Sequence, residues 1–196
     1  CDPPAQLAPL ASVAEALGIF IVCGTMREPS TVNSAMSYTT SIVIGPDGKS
    51  AGAYRKRKIH NHSVQAAGDR PLFINIPAVG LSAVLICLDA EDPALRAEVV
   101  QMGAQCVLNP IHIPTSSGLQ KQQWDVALRT AAEPLLRLCH DHDVAWLRCD
   151  QPYPCGLGST QAILPTATYC AKTMSATNVV VALHAAMQPS GLSKMP

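Results

Sequence analysis

Cys87 ends the apolar run Ala83-Val84-Leu85-Ile86 and stands five residues before Asp92-Pro93, a helix start with a capping side chain and a proline at the first helical position. A nucleophile on such a strand-to-helix elbow is lifted out of the sheet, where nearby backbone N–H groups can stabilise an oxyanion. A thiol ionises more readily beside a lysine or a helix N-terminus, and the thiolate is the attacking species. The chain holds other chemistry-bearing groups. The run Arg55-Lys56-Arg57-Lys58, by itself, reads as a solvated basic edge strand. Cys139-His140-Asp141-His142, with Cys149 and Cys155, has zinc-ligand residue types but lacks the paired spacing of a zinc framework, and His140 and His142 suit the negative end of a helix dipole. Gly156-Leu157-Gly158-Ser159 lacks the lysine and the helix of a phosphate loop. No metal and no cofactor is expected.

Composition narrows the class. The 196 residues are 48% hydrophobic and only 14% charged, with 14 basic and 14 acidic side chains. That balance argues against disorder and against a nucleic-acid partner. No apolar run approaches the roughly 18 residues of a membrane span, so no membrane partner is expected. Several of the eight cysteines lie within apolar runs, as small buried hydrophobes. They read as reduced, which points to an intracellular, cytoplasmic protein; an organellar address is left open because the chain starts at Cys1 and not at methionine.

The elements that must position Cys87 follow from periodicity. Leu7, Leu10, Ala14 and Leu17 predict an amphipathic helix over 5–17 closed by Gly18. Ile19 to Cys23 predicts a strand buried on both faces. Thr39–Ile44 and Ser50–Tyr54 predict a hairpin around Gly45-Pro46-Asp47-Gly48. Leu81–Leu88 predicts a buried strand, and Asp92-Pro93 a helix to about Met102. A short strand follows at Gln105–Leu108, and Trp124, Leu128, Ala131, Leu135 and Leu138 mark a longer helix interrupted near Pro134. Val144–Leu147, Gln161–Leu164 and Val179–Leu183 predict later strands, and the tail from Gln188 is expected to fray. Alternating helices and strands with a hairpin imply an α/β protein with a mixed sheet and helices outside.

Five segments, in order, resemble motifs of the nitrilase superfamily of carbon–nitrogen hydrolases. Leu85-Ile86-Cys87-Leu88-Asp89, continuing through Pro93 to Arg96, resembles the family's cysteine motif, with Glu91-Asp92 where the family has an Arg-Phe approach to proline. Gly103 to Pro110 resembles its Gly-Ala-strand-Pro segment, and Gly52-Ala53-Tyr54-Arg55-Lys56 its Tyr-Arg-Lys motif. Trp124, Arg129, Ala131, Ala132 and Glu133 resemble its Trp-to-Glu helix. Gly158-Ser159 with Pro165 resembles its Gly-x-Ser strand and turn, and Gly18 to Gly24 fits a further family stretch.

The resemblance implies a four-layer α-β-β-α sandwich, with mixed sheets, helices outside and the family's first strands absent from this chain. It implies one domain over 1–187 and a tail at 188–196. It implies hydrolysis of a small amide or nitrile through a thioester or thioimidate on Cys87, with Lys56 and the backbone N–H of Leu88 stabilising the tetrahedral intermediate. A second register would make Lys58 the functional lysine, but Lys56 keeps Gly-x-Tyr-Arg in place. Lys58, Asp89 and His112 are the further pocket candidates. The family's general base is a glutamate in a Pro-Glu setting before the helix at 5–17, and nothing in the chain corresponds to it. Glu15 lies in that helix, Glu28 follows the strand at 19–23, and no glutamate lies between Lys58 and Cys87. The expectation is therefore either a fragment of an active hydrolase or an inactive nitrilase-fold subunit with a role in assembly. In both cases homo-oligomeric or other protein partners are expected.

Overall fold

The computed structural model describes residues 2–77, 79–112, 133–150, 159–165 and 168–172. They form two sheets. In the first, β1 (Ile21–Pro29), β2 (Ser37–Ile44) and β3 (Ser50–Arg55) run antiparallel in sequence order. The predicted hairpin joins β2 and β3: Gly48 sits at φ +71°, a conformation costly for other residues, and its N–H donates to the Gly45 carbonyl at 3.0 Å. The second sheet has the order β4 (Phe73–Ile76), β5 (Gly80–Val84), β6 (Cys106–Ile111), β7 (Ala145–Asp150), β8 (Ser159–Ile163) and β9 (Thr168–Lys172). Strands β5, β6 and β7 are parallel, and the outer pairings are antiparallel.

Parallel neighbours need crossovers. Between β5 and β6 the crossover is α2 (Pro93–Gln101), capped by the Asp92 carboxylate, which accepts from the Ala94 and Leu95 N–H at 2.9 and 3.3 Å. Gly103 at φ +82° releases the chain from that helix toward β6. The connection from β6 to β7 includes the helical stretch α3 at 133–142, in which Pro134 lies.

Alternation along β2 shows the layering. Ile42 and Ile44 pack with Leu7 and Ala14 around α1 (Ala8–Leu17), while Val43 faces the other way, into the cluster of Ala83, Val107, Trp146 and Ile163 from the second sheet. Leu95 and Val99 of α2 and Leu135 and Cys139 of α3 belong to that same cluster. The order is helix, sheet, sheet, helix, as the resemblance implies.

Sequence and structure differ in several places. The strand expected at 19–23, buried on both faces, is instead a nine-residue β1 at the margin of its sheet among the described residues; Cys23 is its one buried residue. It bulges between Val22 and Thr25 and carries Glu28 inside the strand, not after it. Over the predicted helix at 5–17, Leu7 and Ala14 are buried but Leu10 and Leu17 are exposed. β4 and β9 were not anticipated: Phe73-Ile74-Asn75-Ile76 is short and gives little alternation to read. The readings at Trp124, Leu128, Arg129, Ala131, Ala132, Cys155, Gly156–Gly158, Val179–Leu183 and the tail lie outside the described residues.

Candidate active site

The carboxyl ends of parallel β5, β6 and β7 lie side by side, the edge at which α/β sheets place their ligands. After Val84 the chain stays extended for two residues. The Leu85 N–H donates to the Leu108 carbonyl at 3.1 Å, and the Leu85 carbonyl accepts from the Asn109 side-chain amide at 2.7 Å. Cys87 then turns sharply at φ +50° into a 3-10 turn over Cys87–Glu91. A positive φ at a residue with a Cβ costs about 1–3 kcal/mol and persists only where the surroundings enforce it. Cys87 is half-buried and unbridged, and the Leu88 N–H lies in the first turn, where helical geometry leaves donors without an intrahelical acceptor.

Asp89 is the enforcing group. It is 0% exposed and accepts four hydrogen bonds: from the Tyr54 hydroxyl at 2.8 Å, and from the backbone N–H of Ile86, Arg57 and Lys58 at 3.2, 3.4 and 2.6 Å. One carboxylate thus ties the elbow of the second sheet to the end of β3 in the first. Burial, together with the Asp89 charge, pushes the Tyr54 phenol well above its usual range, so it stays a donor. Asp89 was expected to line the pocket. Its burial and its full set of donors make it a brace beneath the elbow.

The two lysines separate clearly. Lys56 follows β3 directly, its N–H bonded to the Thr39 carbonyl at 2.8 Å and its carbonyl to the Gly68 N–H at 2.9 Å. It is 6% exposed, and no ion pair among the described residues includes its ammonium. The Lys58 side chain is 58% exposed and pairs with Asp92 at 3.1 Å, on the outside of the turn. Lys58 is therefore held in a surface ion pair in this fold. His112 is exposed at the end of β6. Glu28 is held by Arg55 and Thr40, and the Arg55 hydrogen bond keeps its carboxyl below the usual range.

Two groups at this edge escaped sequence reading. Asn109 supports the Leu85 carbonyl and accepts from the Trp146 indole N–H at 3.4 Å. Arg148, on β7, is 7% exposed; its Nη1 donates to the Gln161 amide oxygen at 3.4 Å, and among the described residues its buried Nε meets no acceptor. Burial pulls its pKa down, opposed by the charges of Glu91, Cys87 and Asp150. The available signal was a polar residue inside an apolar strand pattern, at Val107-Leu108-Asn109 and Trp146-Leu147-Arg148. Burial pushes the Cys106 and Cys139 thiols up to about 12. Among the described residues no group of three His, Cys, Asp or Glu side chains is placed to hold a metal ion, and His140 is exposed against Asp141. No described helix is long and apolar enough to cross a membrane.

The carbon–nitrogen hydrolase family profile matches residues 3–133, from α1 through the lysine and cysteine segments. The chain belongs to the carbon–nitrogen hydrolase family. Solved structures agree on the fold of this hydrolase-family chain. NitN amidase from Neterenkonia sp. AN1 superposes with a TM-score of 0.69 at 16% identity, over 86% of this chain and 65% of that one. Nit3 of Saccharomyces cerevisiae, a member of branch 10 of the nitrilase superfamily, gives 0.66 at 24% identity, over 84% and 59%. A mutant of the Nesterenkonia sp. AN1 amidase, carrying the acetamide moiety of fluoroacetamide on its active-site cysteine, gives 0.65 at 17% identity, over 82% and 59%. The chain therefore spans about two-thirds or less of these relatives' lengths. Comparison with curated protein sequences yields no match.

Proposed function

We propose that this chain carries the nucleophile half of a carbon–nitrogen hydrolase acting on a small amide or nitrile, with Cys87 as nucleophile. The observation that carries the reading is the strained, half-buried Cys87 at the parallel-strand edge, locked by Asp89 to the segment bearing buried Lys56. In the amide reaction the Cys87 thiolate adds to the carbonyl carbon, and the oxyanion is met by the Lys56 ammonium and the Leu88 N–H. The C–N bond then breaks, ammonia leaves with the thiol's proton, and water cleaves the thioester to the acid. Removal of one oxyanion donor typically costs about 10²–10³ in rate. The acetamide adduct on the active-site cysteine of the Nesterenkonia amidase supports a nucleophilic cysteine in a protein of this fold.

A second reading, an inactive nitrilase-fold subunit with a structural role and protein partners, is favoured by one observation: among the described residues no ion pair joins a carboxylate to Lys56. Both readings are tested by iodoacetamide labelling read by mass spectrometry, together with turnover on a panel of small amides and nitriles. Hydrolysis abolished by Cys87→Ala supports the enzyme, and an unchanged rate in that variant refutes the assignment. Preferential labelling of Cys87 without turnover supports the inactive subunit. Uniform labelling of the eight cysteines refutes Cys87 as a reactive thiol.

A further inference from the structure

Cys106 and Cys139 are both 0% exposed, and the chemistry at Cys87 makes use of neither. They stand thirty-three positions apart in the chain, yet the crossover from β6 to β7 brings them back together. On β6, Val107 faces the first sheet, so by alternation Cys106 faces the opposite side, which α2 and α3 cover. On α3, Leu135 and Cys139 are buried one turn apart while Glu133, Arg137, His140 and Asp141 are exposed, so this stripe is the one pressed onto the sheet. The backbone then fixes the separation along the strand. The Val144 N–H donates to the Cys139 carbonyl at 3.1 Å, closing the end of α3, and the next N–H, of Ala145, donates to the Gln105 carbonyl at 2.9 Å. Ala145 is in turn the register partner of Cys106. One helix-ending turn and one strand spacing of about 4.8 Å therefore separate the two backbones. The thiols also sense each other: burial raises the Cys139 pKa, and the Cys106 charge raises it further. Among the described residues the other thiols lie elsewhere, Cys23 with the α1 cluster, Cys87 at the elbow and Cys149 exposed on β7.

We propose that Cys106 and Cys139 form a redox pair, closing into a disulfide that staples the end of α3 to the start of β6 when a low-molecular-weight disulfide such as oxidised glutathione is supplied. A disulfide requires Cα atoms about 4.4–6.8 Å apart, a span that the turn and the strand spacing allow. Entry is through the end of α3. His140, Asp141, His142 and Asp143 are exposed, Asp143 sits at φ +54°, and helix ends open more readily than cores. Opening there frees Cys139, whose thiolate attacks one sulfur of the reagent and expels one glutathione thiolate. The Cys106 thiolate then attacks the Cys139 sulfur of the mixed disulfide and expels the second. The two protein S–H protons end on the two glutathione thiols, and the two electrons given up by the cysteines reduce the reagent's S–S bond. The pair is independent of the Cys87 chemistry: closing it fixes the crossover that carries β7, and no atom of the elbow takes part.

Equilibration of the whole folded chain with oxidised glutathione, followed by quenching with N-ethylmaleimide and peptide mass spectrometry, tests this. The expected product is a disulfide-linked peptide joining Cys106 to Cys139, in excess over every other intramolecular pairing. Closing a loop of about 30 residues is expected to raise the thermal midpoint by roughly 5–15 °C, and dithiothreitol returns it to the reduced value. Cys139→Ala removes the linked peptide and the shift together, as does Cys106→Ala. The wild-type chain decides the matter even where these variants fail to fold. Absence of the linked peptide from the folded, oxidised chain overturns the proposal. So does its appearance only in urea, where pairing is that of an unfolded chain. A link that leaves the midpoint unchanged or lowers it overturns the staple. Iodoacetamide labelling of Cys87 in the reduced chain reads the nucleophile assignment separately in every case.

Discussion

Replacing Asp89 by alanine removes the acceptor of four hydrogen bonds at once, and the structure sets the size of the effect. Two of the four donors, the Tyr54 hydroxyl and the Ile86 N–H, belong to residues with 1% and 2% exposure and can find no water. Each buried donor left without a partner costs about 1–3 kcal/mol, so the pair loses about 2–6 kcal/mol. The Arg57 and Lys58 amides belong to a half-buried and an exposed residue and rebond solvent at smaller cost. Total stability of a domain is about 5–15 kcal/mol, so Asp89→Ala is expected to lower the urea midpoint severely. Tyr54→Phe deletes one donor while Asp89 keeps its three amide bonds, and the expected loss is about 1.5–3 kcal/mol, the worth of a hydrogen bond to a charged acceptor. Combined, the two changes are expected to cost less than their sum, because alanine at 89 orphans the hydroxyl that phenylalanine removes. Cys87 labelling adds a local readout: in Asp89→Ala the elbow relaxes from its positive φ, and the selectivity of iodoacetamide for Cys87 over the other cysteines declines. A loss below about 0.5 kcal/mol in Asp89→Ala, the level of an ordinary surface change, refutes the brace.

Other perturbations address the neighbouring parts. A Cβ at Gly68 would drive into the Arg55 carbonyl, beside the Gly68 N–H bond to Lys56, so Gly68→Ala is expected to lose more than about 1 kcal/mol in urea unfolding and to weaken any Lys56-dependent turnover; unchanged stability would contradict the close approach. Glu28 has a folded pKa below its unfolded one, so its contribution is present above about pH 4.3 and lost as pH falls through the lower folded value. Glu28→Gln is therefore expected to flatten the acid limb of stability by a fraction of a kcal/mol, since the Arg55 pair is one-third exposed, and an identical acid limb would refute it.

Much of this molecule is legible from the chain alone. The hairpin at Gly45–Gly48, the cap at Asp92-Pro93 and the apolar run into Cys87 are local devices: each is fixed by dihedral preference or by a side chain reaching its own backbone. The order of the family-like segments likewise identified the fold, because motif order travels with the sequence. β1 is harder to read, because an apolar run such as Ile19–Cys23 looks the same at a sheet margin as at its centre, and only the neighbouring strands decide.

What the tertiary structure decided is which of several chemically similar residues stands where. Lys56 and Lys58 are two positions apart in one basic run, yet one is buried at the junction of the sheets and the other is paired to Asp92 at the surface. Asp89 is one acidic residue among several until Tyr54, thirty-five positions away, closes on it. Arg148 is a polar interruption in a strand until its register with Asn109 and Gln161 places it at the edge that presents Cys87. The sequence determined the elements and the nucleophile's elbow through short-range geometry. Burial, pairing and charge at the site arise from contacts between segments far apart in the chain, and those exist only once the two sheets have packed.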